Sequence, residues 1–148
     1  MKSAFDTHAG GHHERTTVVS ICDVPGYQVP PLSVIDVPAL VEACKEQWYN
    51  QTLCKVNDSV VRLGVMQGEY HWHKHDNDDE FFFVLDGHFI IDLPDQSVDL
   101  QARQGFVVPK GIVHRTRAPD RAVILMVETA SIIPTGDAQP AVPGHGLA

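Results

Sequence analysis

Three histidines and a glutamate crowd one short stretch, Tyr70-His71-Trp72-His73-Lys74-His75 followed by Asp76 to Asp79 and then Glu80. On an extended strand alternate side chains share a face, which groups His71, His73 and His75 on one side and Trp72 and Lys74 on the other. Two imidazoles two residues apart can grip one cation. Glu80 opens the next apolar run after a short turn, so its carboxylate can return to the same ion. A fourth ligand must come from another strand, and His114, behind the tight Pro109-Lys110-Gly111 turn, is the candidate. Solvated strand histidines are the plain alternative, but neutral bases gathered around a carboxylate are better satisfied by an ion. Imidazoles with one carboxylate suit a single divalent ion of Fe2+, Mn2+, Ni2+, Zn2+ or Cu2+, and no thiolate is at hand to narrow the choice. Four protein ligands on an octahedral ion leave two positions for water, dioxygen or a bidentate substrate, and those open positions are the reason to expect chemistry.

Other residues bear on the same cavity. Arg62, on the preceding strand, can reach inward to hold a substrate carboxylate, or it can be a solvated strand arginine. Tyr70 is expected to point outward, as are Arg115 and Arg117, which flank Thr116 after His114. The run Phe81-Phe82-Phe83-Val84-Leu85 is apolar without interruption, so both of its faces must be covered. Phe82 and Val84 share the face of Glu80 and are expected to line the pocket. The opposite face needs the helix, the N-terminal arm or a second subunit. Asp76, Asn77, Asp78 and Asp79 read as a solvated turn rather than a second ligand cluster.

The elements that must position these groups follow from turn residues and short alternating runs. Strands are expected at Ser59 to Gln67, Tyr70 to His75, Glu80 to Asp86, His88 to Leu93, Ser97 to Leu100, Gly105 to Val108, His114 to Arg117 and Ala122 to Glu128. Breaks at Gly68, Asp76 to Asp79, Asp86-Gly87, Pro94-Asp95, Pro109 to Gly111 and Pro119-Asp120 supply the turns. Strands so spaced indicate a sandwich or barrel rather than βαβ units. Before them, Asp36 can cap a short helix over Val37 to Cys44, with Pro38 in its first turn. Residues 1–34 read as a partly mobile arm with one edge strand near Thr16 to Cys22; His8, His12 and His13 there are expected not to ligate. Residues 35–133 form the folded domain, and 134–148, with Pro134, Gly136, Pro140, Pro143 and Gly144, a loose tail.

At His73, His75, Glu80 and Gly87 the chain resembles the first motif of the cupin superfamily, and at Pro109, Gly111 and His114 its second. Seventeen residues separate Gly87 from Gly105, room for the hairpin that links the motifs in compact members. The resemblance covers roughly residues 52 to 130 and implies an all-β double-stranded β-helix, a jelly-roll barrel with one short N-terminal helix. It also implies that His73, His75, Glu80 and His114 are the metal ligands. His71 lies one step too early for the motif and is expected either to act as an acid or base beside the metal or to be a core histidine with a satisfied hydrogen bond. Three backbone positions depart from the pattern. Gly68 sits one residue closer to the first histidine than the usual glycine, Arg103 takes a position usually held by glycine, and Ala118 replaces a frequent asparagine. The chain is also similar to small single-domain cupins labelled mannose-6-phosphate-isomerase-like, although fold does not fix reaction.

Composition narrows the remaining choices. A formal net charge of −8 argues against a phosphate backbone or anionic lipid as partner. Cys22, Cys44 and Cys54 are odd in number and contain no Cys-x-x-Cys pair, so neither a disulfide framework nor a cysteine zinc site is expected. The first residues lack the apolar core of a signal peptide and no run reaches membrane-spanning length, which points to the cytoplasm. The resulting expectation is a metal-dependent enzyme on a small organic molecule, first a dioxygenase-type oxidoreductase. A Lewis-acid isomerase or lyase on a sugar-like or hydroxy-keto substrate stands second, and a non-catalytic metal-dependent binding module third. A homodimer, built through the outer sheet face, is expected.

Overall fold

The computed structural model describes residues 28–137. The expected edge strand near Thr16 to Cys22, the histidines of the N-terminal arm and residues 138–148 lie outside that range.

The helix α1 spans Val37–Ala43, close to expectation. The Asp36 side chain accepts a hydrogen bond from the Ala39 N–H at 3.1 Å, satisfying one of the donors a helix start leaves open. Cys44 ends the helix in extended conformation. Seven residues are too few to hold a helix in water by propensity alone. Its stability comes from Leu40 and Cys44, which pack with Tyr49, Leu53, Leu63, Val65 and Val123 on the outer sheet face.

Seven antiparallel strands follow among the described residues: β1 Tyr49–Val56, β2 Ser59–Glu69, β3 Glu80–Asp86, β4 His88–Asp92, β5 Ser97–Gln101, β6 Gly105–Val108 and β7 Arg115–Thr129. Pairing runs β1-β2-β7-β3-β6, while β4 joins β7 to β5. The architecture is the expected all-β jelly roll, with a hydrogen-bonded path that does not close on itself. Phe82, Val84, Phe89, Ile91, Leu100, Val108, Ile124 and Met126 fill its interior. Each such side chain contributes about 1.5–3 kcal/mol on burial.

Three elements differ from the sequence reading. β1 was not expected, because Asn50, Gln51 and Thr52 show no apolar alternation and a bulge between Thr52 and Cys54 breaks its period. The strands expected at His114 to Arg117 and Ala122 to Glu128 are one, β7, and Pro119-Asp120 makes a bulge rather than a turn: Gln67 alone faces residues 119–121 between the pairs Met66↔Ala122 and Gly68↔Ala118. Proline has no N–H to continue a ladder, so the strand bulges and bends there. Before the bulge β7 pairs with β4; after it, with β3. The third difference is the histidine segment. β2 ends at Glu69, and residues 70–75 form no regular strand: Tyr70 N–H still bonds to Thr116 O at 2.8 Å, His73 forms an isolated bridge with His114, and His75 O accepts from Gly111 N–H.

Arg103, at the position where the family pattern has glycine, has φ +69°. This left-handed conformation is what glycine ordinarily supplies; here the Arg103 N–H bonds to Val84 O at 2.7 Å and fixes the turn. Phe81, Phe83 and Leu85 alternate with Phe82 and Val84 as expected, and Leu85 is covered by the helix cluster. Cys44 and Cys54 are free thiols. No described helix is long and apolar enough to cross a membrane.

Candidate metal centre

His73, His75, Glu80 and His114 come together as the sequence predicts. One ligating atom from each lies within 4.8 Å of all the others, and all four side chains are buried, at 4%, 3%, 7% and 1% exposed. Glu80 is the first residue of β3, fixed by pairing with Val108 of β6. His114 immediately precedes β7, and the His73–His114 bridge ties the two histidines by reciprocal N–H···O bonds of 2.9 Å. Gly111 N–H donates to His75 O at 2.7 Å, so the Pro109-Lys110-Gly111 turn holds the second histidine.

The hydrogen bonds decide which ring nitrogens are available. His73 Nδ1 lies 3.0 Å from His71 O, and His114 Nδ1 lies 3.0 Å from Ile112 O. A nitrogen against a carbonyl must carry the proton, so in each neutral ring Nε2 keeps the lone pair. His114 Nε2 points at Glu80 Oε2 from 3.2 Å, and His75 Nε2 stands 3.4 Å from that same oxygen. At that distance His75 attracts the carboxylate without forming a hydrogen bond, and neither of its ring nitrogens has a partner among the described residues. A buried imidazole with both nitrogens unsatisfied costs about 1–3 kcal/mol per group. The His114 Nε2–Glu80 Oε2 contact is a hydrogen bond, which places a proton between two potential ligand atoms. A divalent cation would take the place of that proton and satisfy His75 as well, so the donor set fits a metal ion.

Charge follows the same logic. Burial, then the charge of His114, lowers the His73 pKa to about 4, so this ring is neutral at pH 7. Burial pulls His75 down as well, but the attraction of Glu80 outweighs it and the net shift is upward. Burial pushes Glu80 up, yet His114 and His75 together hold it down at about 2, as a carboxylate.

A cavity of about 240 Å³ opens onto His73 and Glu80. Phe82, 2% exposed, lines it as expected. Arg62 also reaches it, but its Nε contacts Glu128 Oε1 at 2.6 Å, so the guanidinium is already engaged by a carboxylate of the protein. Glu128 was missed by the sequence reading. It is 5% exposed, and burial followed by the charge of Glu80 raises its pKa to about 8 against the opposing pull of Arg62. The signal was present: Glu128 is in phase with the inward-facing Ala122, Ile124 and Met126.

Three expectations are corrected. Tyr70 does not point outward; it lines the cavity, stacks on Trp48 with ring centroids 5.4 Å apart and donates its hydroxyl to Pro134 O at 3.4 Å. His71 does not point into the barrel. It is exposed, with Nε2 2.8 Å from Thr135 O, because no regular strand continues past Glu69 and strict alternation ends there. Residues 134–137 are likewise no loose tail, since they bond to this segment. Arg115 and Arg117 do face away, both gripping Asp92 at 2.8 Å. The acidic turn is less solvated than expected, tied to distant parts of the chain with Asp78 on the Thr129 hydroxyl and Asp79 accepting from Lys110 N–H at 2.9 Å.

Comparison with known proteins agrees with this geometry. The Cupin domain family matches residues 59–128. The uncharacterized protein YdbB of Bacillus subtilis (strain 168) is 45% identical over 91 residues, spanning 61% of this chain and 80% of that protein. A cupin-2 domain containing protein from Shewanella frigidimarina NCIMB 400, of known crystal structure, is 31% identical with a TM-score of 0.63, covering 65% of this chain and 94% of its own. Protein NMB1881 from Neisseria meningitidis is 25% identical with a TM-score of 0.60, covering 66% of this chain and all of its own.

Proposed function

Because this chain belongs to the cupin superfamily, we propose that it is a mononuclear metal-dependent enzyme acting on a small organic molecule. One observation carries the reading: His75 is buried with neither ring nitrogen hydrogen-bonded among the described residues, beside a carboxylate and two further imidazoles, and two members of that group, His73 and Glu80, line the cavity. His73, His75, Glu80 and His114 would hold one Fe2+, Mn2+, Ni2+, Zn2+ or Cu2+ ion. When bound, such an ion supplies Lewis-acid polarisation of a substrate oxygen and, if redox-active, dioxygen chemistry.

The chain's own residues would prepare the cavity. Phe82, Met66 and Met126 make an apolar wall that excludes water from the reacting atoms. Arg62 Nε is held by Glu128 Oε1 at the same wall, so the guanidinium is engaged by the protein rather than left free for a substrate anion. That favours a neutral or weakly charged substrate over a strongly anionic one.

A dioxygenase-type oxidoreductase is the first reading. The second, an isomerase or lyase on a sugar-like or hydroxy-keto substrate, draws on Glu128, whose carboxyl faces the cavity and can carry a proton at an oxygen. Oxygen uptake by the metal-loaded protein with candidate substrates supports the first; turnover under strict anoxia excludes it and leaves the second. Ligand binding without turnover in either atmosphere would assign a non-catalytic binding module. The proposal includes a cytoplasmic homodimer, joined through the half-buried outer residues Phe81 and Phe83 with the exposed Val107 beside them.

A further inference from the structure

We infer that residues 133–137 form a strap that holds His73 in position to ligate, so that metal affinity depends on contacts 61–64 residues apart between that segment and residues 71–76. The inference rests on the metal reading above and adds to it the part of the chain that assembles the site.

Residues 70–75 form no regular strand, and the reciprocal bonds to His114 support His73 from one side only. The strap supplies the other side. Its bonds fall on residues before and after His73: Tyr70 hydroxyl to Pro134 O at 3.4 Å, His71 Nε2 to Thr135 O at 2.8 Å, Asp137 N–H to Lys74 O at 3.0 Å, and Asp76 N–H to Asp137 Oδ2 at 2.6 Å. With Nε2 donating to Thr135 O, His71 ties strap to histidine segment by its side chain while its backbone carbonyl faces His73 Nδ1. One residue therefore connects the strap to the tautomer of a ligand.

Packing makes the same point. Gly136 has φ +91°, and a Cβ built there would lie 2.6 Å from His73 Cβ and 3.1 Å from Lys74 O. Only glycine lets the strap backbone lie directly against the ligand. The strap is itself anchored: Ile132 is 5% exposed with its N–H on Thr129 O at 3.2 Å, and Gly136 N–H closes a turn onto Ile133 O at 2.9 Å. Displacing the strap must then move His73 or remove its support.

The test is competition of the full chain with a chromophoric chelator for Zn2+, together with the visible spectrum of the Co2+-loaded protein. Gly136→Val should weaken Zn2+ binding about 10–100-fold, the range for losing a group that orients a ligand, and should shift the Co2+ spectrum. The thermal transition of the metal-free protein should remain cooperative. Asp137→Ala should weaken binding in the same direction by a smaller factor, and Asp137→Asn, which keeps an acceptor for Asp76 N–H, should restore it. These two variants decide the matter if Gly136→Val does not fold. Wild-type affinity and an unchanged Co2+ spectrum in Asp137→Ala and in any folded Gly136→Val would overturn the strap. A wild-type chain that binds neither ion overturns the metal reading itself, a distinct result.

Discussion

Replacing His75 by leucine separates a metal ligand from a core histidine, because the two roles predict different signs. In the metal-free protein His75 is 3% exposed, its ring nitrogens form no hydrogen bond among the described residues, and its nearest charged group there is Glu80 at 3.4 Å. An unsatisfied buried polar group costs about 1–3 kcal/mol, which an apolar side chain of similar size relieves. The loss of attraction to Glu80 works the other way by about the same amount. The metal-free variant should therefore unfold within about 1 kcal/mol of metal-free wild type. The loaded proteins should differ sharply. An ion at about 1,000 times its Kd stabilises the wild type by about 4 kcal/mol, roughly 10–20 °C in Tm for a domain of this size. A ligand's loss should weaken binding at least as much as loss of an outer partner, about 100-fold. The same ion concentration is then about ten times Kd and the gain drops to about 1.4 kcal/mol. Differential scanning fluorimetry with and without Zn2+, at a pH above the ordinary histidine pKa, reads both quantities. A metal-free variant weakened by several kcal/mol, with the wild-type response to Zn2+ retained, would refute the reasoning and make His75 a structural residue.

Further outcomes follow from the ion pairs and the outer face. Arg62→Met removes the partner of Glu128 beside Glu80. With its pKa already raised to about 8, Glu128 stays protonated at pH 7 rather than a bare charge, so urea denaturation of the metal-free protein should show a loss of about 1–3 kcal/mol, the cost of an unsatisfied buried polar group. Asp92 has its pKa held well below the carboxylate range by hydrogen bonds from Arg117, Ser97 and Arg115. A depressed carboxylate contributes stability that is present above its unfolded pKa and disappears as pH falls through the folded one. Asp92→Asn should thus be less stable than wild type by about 1–3 kcal/mol at pH 7, with the gap narrowing steadily as the pH is lowered below about 4. If the outer face joins two copies, Phe83→Lys should convert a dimer to a monomer by sedimentation without changing the far-ultraviolet spectrum. An unchanged dimer would move the interface elsewhere.

What was legible in the sequence was legible for local reasons. The motif spacing of His73, His75, Glu80 and His114 needs only short turns on either side, and the interior positions of β3 obey strict alternation. The helix start was written in Asp36 and Pro38. Failures came where long-range pairing or bending overrides pattern. β1 is polar enough to hide its pairing with β2, and Pro119 signals a break whether the outcome is a turn or a bulge. Tyr70 and His71 were placed by a period that stops at Glu69. Pro134 and Gly136 look like tail composition, yet Gly136 is required by a contact with His73, a residue far away in the chain. Glu128 was overlooked because a charged residue ending an apolar strand reads as its solvated terminus, whereas here it is buried in contact with Arg62.

The central claim is that one divalent ion sits among these four side chains, and anomalous scattering from crystals of the metal-loaded protein tests it most directly. The account predicts a single anomalous peak per chain, about 2.0–2.2 Å from Nε2 of His73, His75 and His114 and from a carboxylate oxygen of Glu80. A peak bound elsewhere, or no peak among these residues at saturating metal, would contradict it.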